Sequence, residues 1–94
     1  MTELDVAIEV LVPAGADAGE AIALRETASA RSVELGWPEP HSGGVCFAYD
    51  NHLVSDLAWA LPPGVDPQPV LAILEREFYI RSLRIYDEAG RQLR

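Results

Sequence analysis

The chain has 94 residues, 49% of them apolar and 23% charged, and its fifteen acids against seven bases give a net charge of −8. That size supports one hydrophobic core, a single α+β domain over residues 1–94, and the composition excludes a disordered chain. A lone cysteine, Cys46, excludes an intrachain disulfide and a cysteine-only zinc site, and no apolar run approaches the ~20 residues of a membrane span.

Residues 4–12 alternate: Val6, Ile8, Val10 and Val12 point one way, and Asp5, Ala7, Glu9 and Leu11 the other. Period two with β-branched residues predicts a half-buried strand, ended by Pro13 and Gly15. Asp17 then has the chemistry of a helix N-cap, with Glu20 three positions on as in a capping box. The good helix formers from Ala18 to Leu35 place Ala21, Leu24, Ala28 and Leu35 on one stripe. Gly36 suits the position after the helix, and Pro38 follows. Val33, Leu35 and Trp37 also alternate, so a helix ending near Ala30 before a short strand is the competing reading.

Residues 37–44, with two prolines and two glycines, read as a loop. Val45–Tyr49 reads as a short strand, Asp50-Asn51 as a turn, and Leu53–Leu61 as the next strand, so the pair forms a β-hairpin. Leu53, Leu57, Trp59 and Leu61 share one face of that second strand. Pro62-Pro63-Gly64 stops it. Asp66 caps a second helix with Pro67 at its first position, and Val70, Leu71, Ile73, Leu74 and Phe78 form its apolar face. Tyr79–Tyr86 is extended, residues 87–90 turn, and Arg91–Arg94 fold back as a frayed last strand. Ile-Tyr-Asp-Glu-Ala-Gly-Arg, residues 85–91, looks like the turn of a YD-type repeat hairpin and signals a hairpin only.

The order β-α-β-β-α-β matches the ferredoxin-like plait, an antiparallel sheet with two helices on one face. The predicted core is Val6, Ile8, Val10, Leu24, Ala28, Leu57, Trp59, Leu71, Leu74, Phe78, Leu83 and Ile85. The first and last strands are expected at the centre of the sheet. This topology hosts enzymes, metal carriers, RNA binders and regulators, so it selects no function.

Charge narrows the classes. All seven bases are arginine, and residues 1–24 hold five acids and no base. A chain at −8 repels phosphate and anionic lipid, which disfavours direct nucleic-acid and membrane binding and favours a basic partner. Tyr79, Arg81, Arg84 and Tyr86 on the last strand are the one feature with a nucleic-acid flavour, and the overall charge outweighs it. The lysine-free, Ala-, Gly- and Pro-rich usage fits a high-GC bacterial or phage genome, and the acidic start, unlike a secretory signal, fits a cytoplasmic protein.

Chemical motifs are sparse. His41, Cys46 and His52 match no metal-ligand spacing, so neither metal nor cofactor is expected. The sequence holds no nucleophile elbow, P-loop or dinucleotide fingerprint, so no catalytic residue is assigned and the chain reads as a non-enzyme. In size and charge alone the chain is similar to phage-encoded inhibitors of nucleases and of CRISPR complexes, and to bacterial immunity proteins. That analogy implies an inhibitor or immunity-type module for a basic, nucleic-acid-handling protein. Glu20, Glu26, Glu34 and Glu39 are the expected partner-binding acids, with Trp37 as either a lid on the core or an exposed anchor. The alternative is a dimer formed through its sheet that binds a ligand or substrate at the Trp37–Ser42 loop, with His41 or His52.

Overall fold

Alternation in the first strand builds the sheet. The computed structural model describes residues 3–47 and 52–94. Strand β1 (Leu4–Leu11) buries Val6, Ile8 and Val10, with Val12 just beyond its end, and leaves Asp5, Ala7, Glu9 and Leu11 on the other face. Then follow α1 (Ala18–Glu34), β2 (Ser42–Phe47), β3 (Leu53–Leu61), α2 (Gln68–Glu77) and β4 (Ile80–Tyr86). The four strands form one antiparallel sheet in the order β2-β3-β1-β4. Ala28 of α1 and Val70, Leu71 and Leu74 of α2 join Val6, Ile8, Leu57, Trp59, Leu61 and Ile85 in one core, so both helices cover the same face. This is the ferredoxin-like α+β arrangement that the element order predicts. All twelve expected core residues lie in this core or pack against it.

Three boundaries or placements differ from expectation. The central strands are β1 and β3, and β4 is an edge, because the hairpin partner β3 and not the last strand takes the second central place. Ser42, Gly43 and Gly44 belong to β2 and not to the preceding loop, since glycines are tolerated in an edge strand. A Cβ at Gly43 would sit 3.0 Å from the Asp56 carbonyl oxygen, so close strand packing demands glycine there. Helix α2 starts at Gln68 with Pro67 as its N-cap, one residue later than expected, although the Asp66 carboxylate still accepts from the Gln68 N–H at 3.0 Å. The expected strand end at Ala48–Tyr49 and the turn at Asp50-Asn51 lie outside the described residues.

Helix α1 runs unbroken to Glu34, which removes the reading that ended it near Ala30. Asp17 caps it, its carboxylate accepting from the Glu20 N–H at 2.8 Å, and Gly36 takes the left-handed φ of 102° just after it. Arg31 ties the helices together with a two-pronged contact to Glu77, at 2.8 and 3.0 Å. At the C-terminus, Asp87 accepts from the backbone N–H groups of Ala89 and Arg91 and from the Arg91 guanidinium. These bonds hold its carboxyl below the usual range and close the turn. The last residues then fold back on β4: Gln92 bridges Tyr86, and Ile85 exchanges backbone bonds with Leu93 and Arg94.

Candidate functional site

Helices cover one face of the sheet and leave the other open. Register decides which side chains gather there. Ser42 stands opposite Ala58, and Ala58 opposite Ala7, which faces Arg84. One step along, Gly44 stands opposite Asp56, Asp56 opposite Glu9, and Glu9 opposite Ser82. The next row holds Cys46, Val54 and Leu11. The open face is therefore a floor of small side chains with two carboxylates side by side near its centre. Between Glu9 and Val10 the register to β4 slips, leaving Arg81 as an extra residue in that strand.

Glu9 and Asp56 are directly opposed like charges, an arrangement that costs a sheet stability. Asp5 lies four residues back along β1, beyond Ala7, and the His41 Nε2 approaches its Oδ1 at 3.8 Å. Arg84 is the diagonal neighbour of Asp5 and Glu9 and shares with Glu9 and Asp56 a shallow cleft of about 250 Å³. Cys46, also on this cleft, donates its S–H to Asp56 Oδ2 at 3.4 Å. That hydrogen bond, then partial burial and the nearby charges of Asp56 and Glu9, push the thiol pKa up. A thiol held protonated by carboxylates is a poor nucleophile.

The sequence-predicted acids do not converge. Glu20, Glu26 and Glu34 are all exposed on α1. At about 100° and 1.5 Å per residue they spread over a wide arc and roughly 20 Å of helix. Glu34 contacts Arg31 at 3.2 Å. Glu39 lines a separate polar groove with Arg25, Ser29 and His41, between α1 and β2. Trp37 is the lid and not the anchor. It is only 4% exposed, and its ring meets Trp59 edge-on at 4.9 Å between centroids. Burial of the larger ring area wins because a small core has few aromatics to fill it. Among the described residues its indole N–H has no hydrogen-bond partner, whereas that of Trp59 donates to Ser32 Oγ at 3.1 Å.

The other candidates fall in different places. The Trp37–Ser42 loop lies at one end of β2, and a cleft of about 560 Å³ lies at the other. Residues Val12–Ala18, Val45–Phe47, His52 and Leu53 line it. His41 and His52 thus border different cavities. Among the described residues no group of three or more His, Cys, Asp or Glu is placed to hold a metal ion. Tyr79 projects at the sheet end and Tyr86 and Arg84 lie on the open face, so the tyrosines and arginines of β4 do not form one platform.

The opposed open-face acids Glu9 and Asp56 are the pair that sequence reasoning missed. Alternation alone puts Asp5 and Glu9 on one strand face, but the meeting of Glu9 with Asp56 needs the β1–β3 register. No helix of the described residues is long and apolar enough to cross a membrane. No protein-family model, no curated protein and no solved structure matches this chain.

Proposed function

We propose that this chain is a non-catalytic interaction module that receives a cationic segment of a protein partner on the open face of its sheet. The opposed pair Glu9 and Asp56 carries the reading. Two carboxylates set side by side repel, and a guanidinium or ammonium group placed between them removes that cost and gains charge-assisted hydrogen bonds. The small floor of Ala7, Ser42, Gly44 and Ala58 lets a long side chain lie close to the backbone. A nucleic-acid-handling protein is the partner class that suits it best, since its groove is lined for phosphates and these carboxylates mimic their charge. An inhibitor or immunity role follows from that substitution. The Cys46 thiol, held protonated by its hydrogen bond to Asp56, favours binding over nucleophilic chemistry.

An arginine-rich peptide titrated into labelled protein tests this by backbone chemical shifts. Shifts on β1 and β3, lost in Glu9→Gln/Asp56→Asn and kept in Glu20→Gln/Glu26→Gln/Glu34→Gln, support the reading. Shifts that follow α1 instead, or no saturable binding, reject it.

The cleft between the β1–α1 turn and β2 favours a second reading, a site for a small apolar ligand bordered by His52 and Cys46. A metabolite panel that raises the melting temperature, with shifts confined to Val12–Ala18, would move the function there.

A further inference from the structure

We propose that the outer edge of β2 pairs antiparallel with the same edge of a second copy of this chain, about a two-fold axis through Val45. The two edges of the sheet differ. The β4 edge is overlaid by the C-terminal residues and carries Arg81 and Arg84. Among the described residues nothing pairs with the outer edge of β2. Its six residues, Ser-Gly-Gly-Val-Cys-Phe, contain no charge, proline or bulge, none of the devices that keep an edge strand solitary.

Strand β2 is where a second copy meets the least charge opposition, and its self-complementary register singles out that copy as the occupant. The chain carries −8, and β2 is a strip without a carboxylate, so two copies approach there without setting acid on acid. Pairing through the open face would instead stack two sets of Glu9 and Asp56. The strand is also complementary to itself. With Val45 opposite Val45, Phe47 of one copy stands opposite Gly43 of the other, and both helix layers lie on one side of a continuous sheet. Phe47 is 71% exposed in the single chain. Gly43 has no side chain, and the stem of Arg25 lies over it, its Cδ 3.3 Å from where a Cβ would be. The pairing therefore lays each Phe47 ring against the Arg25 of the other copy, an aromatic over a glycine with a cation on its face. Two such contacts form, one on each side of the axis. Ile22, three residues before Arg25 on α1, is a further exposed apolar group on that helix.

Sedimentation of the full chain and directed cross-linking test the pairing. Opposed residues in an antiparallel pair have Cα atoms about 4.5–5.5 Å apart, within disulfide range. Val45→Cys in a Cys46→Ser background is expected to oxidise rapidly to a covalent dimer. Native Cys46, whose nearest copy stands roughly 8 Å away on the diagonal, and Glu26→Cys in the Cys46→Ser background are expected not to. Phe47→Glu, at an exposed site, is expected to keep the fold by circular dichroism and weaken self-association at least tenfold. A chain that stays monomeric at millimolar concentration overturns the proposal. So does a dimer that Phe47→Glu leaves intact and Val45→Cys does not cross-link. Neither result touches the open face, which such a dimer leaves uncovered.

Discussion

Two tryptophans in contact illustrate how unequal neighbouring residues are. Trp59 and Trp37 share the core, yet Ser32 serves only Trp59: its hydroxyl accepts from the Trp59 indole and donates to the Ser29 carbonyl at 2.7 Å. Ser32→Ala leaves a second indole N–H buried and unpaired beside that of Trp37. The expected cost is about 1–3 kcal/mol, read as a fall of several degrees in Tm. Trp37→Phe removes a buried donor that has no partner among the described residues. It is expected to destabilise less than Trp59→Phe for the same change in volume, and the reverse order in thermal unfolding would show that the orphan N–H costs nothing. Cys46 permits a chemical test of the open face. Its thiol is exposed, but the Asp56 carboxylate accepts its proton-bearing S–H and raises its pKa. Alkylation near neutral pH is therefore expected to be slower than for a free thiol, with its pH inflection above the ordinary ~8.5. Asp56→Asn removes the charge, so the inflection should move down and the rate at pH 8 should rise several-fold.

Elements owe their shapes to close approaches as much as to propensity, and the two glycines of β2 separate these causes. A Cβ at Gly43 meets the Asp56 carbonyl, Arg25 and Leu57, whereas one at Gly44 meets nothing within 4 Å. Gly43→Ala is expected to push β2 away from β3 at a cost of about 1–3 kcal/mol. Gly44→Ala is expected to be neutral or slightly stabilising, because it stiffens the unfolded chain. Equal urea midpoints for the two variants would remove the steric account. The same strand marks where reading the sequence stops. Alternation in β1 and β3 and the cap at Asp17 were legible because each is local, written within a turn or a strand. Ser42–Gly44 looked like loop because glycine signals flexibility locally, while its reason for being glycine lies thirteen residues away at Asp56. Strand order failed at β4 for a related reason, since which strand becomes central is decided by pairing and not by any segment alone. The acids of α1 were visible as a charge count, but helix geometry disperses them. Glu9 and Asp56, separated by 47 positions, are joined only by register.

On the scale of the whole molecule, charge and size set a length against which screening can be measured. The chain extends 42 × 27 × 21 Å and carries −8. At 0.01 M salt the Debye length is about 30 Å, so nearly every carboxylate feels every other and the folded state carries the full self-repulsion. At 0.15 M it is about 8 Å, and only close neighbours still interact. Raising salt through this range is expected to raise Tm, most steeply below 0.1 M. Neutralising variants divide by distance. Glu26 stands exposed on α1, its contribution is long-range, and Glu26→Gln is expected to stabilise at 0.01 M and to lose that gain at 0.15 M. Glu9 faces Asp56 across one strand spacing, with Cβ atoms about 4.5–5.5 Å apart by the geometry of directly opposed residues, inside the screening length at both salts. Glu9→Gln is therefore expected to keep most of its stabilisation at 0.15 M. Thermal unfolding of the wild type and both variants at the two salts decides the matter. If the Glu9→Gln gain vanishes with salt as Glu26→Gln does, the opposed pair is already relieved by Arg84 or by solvent. The open face then has no unmet demand for a cation, and the docking role proposed for it loses its physical basis.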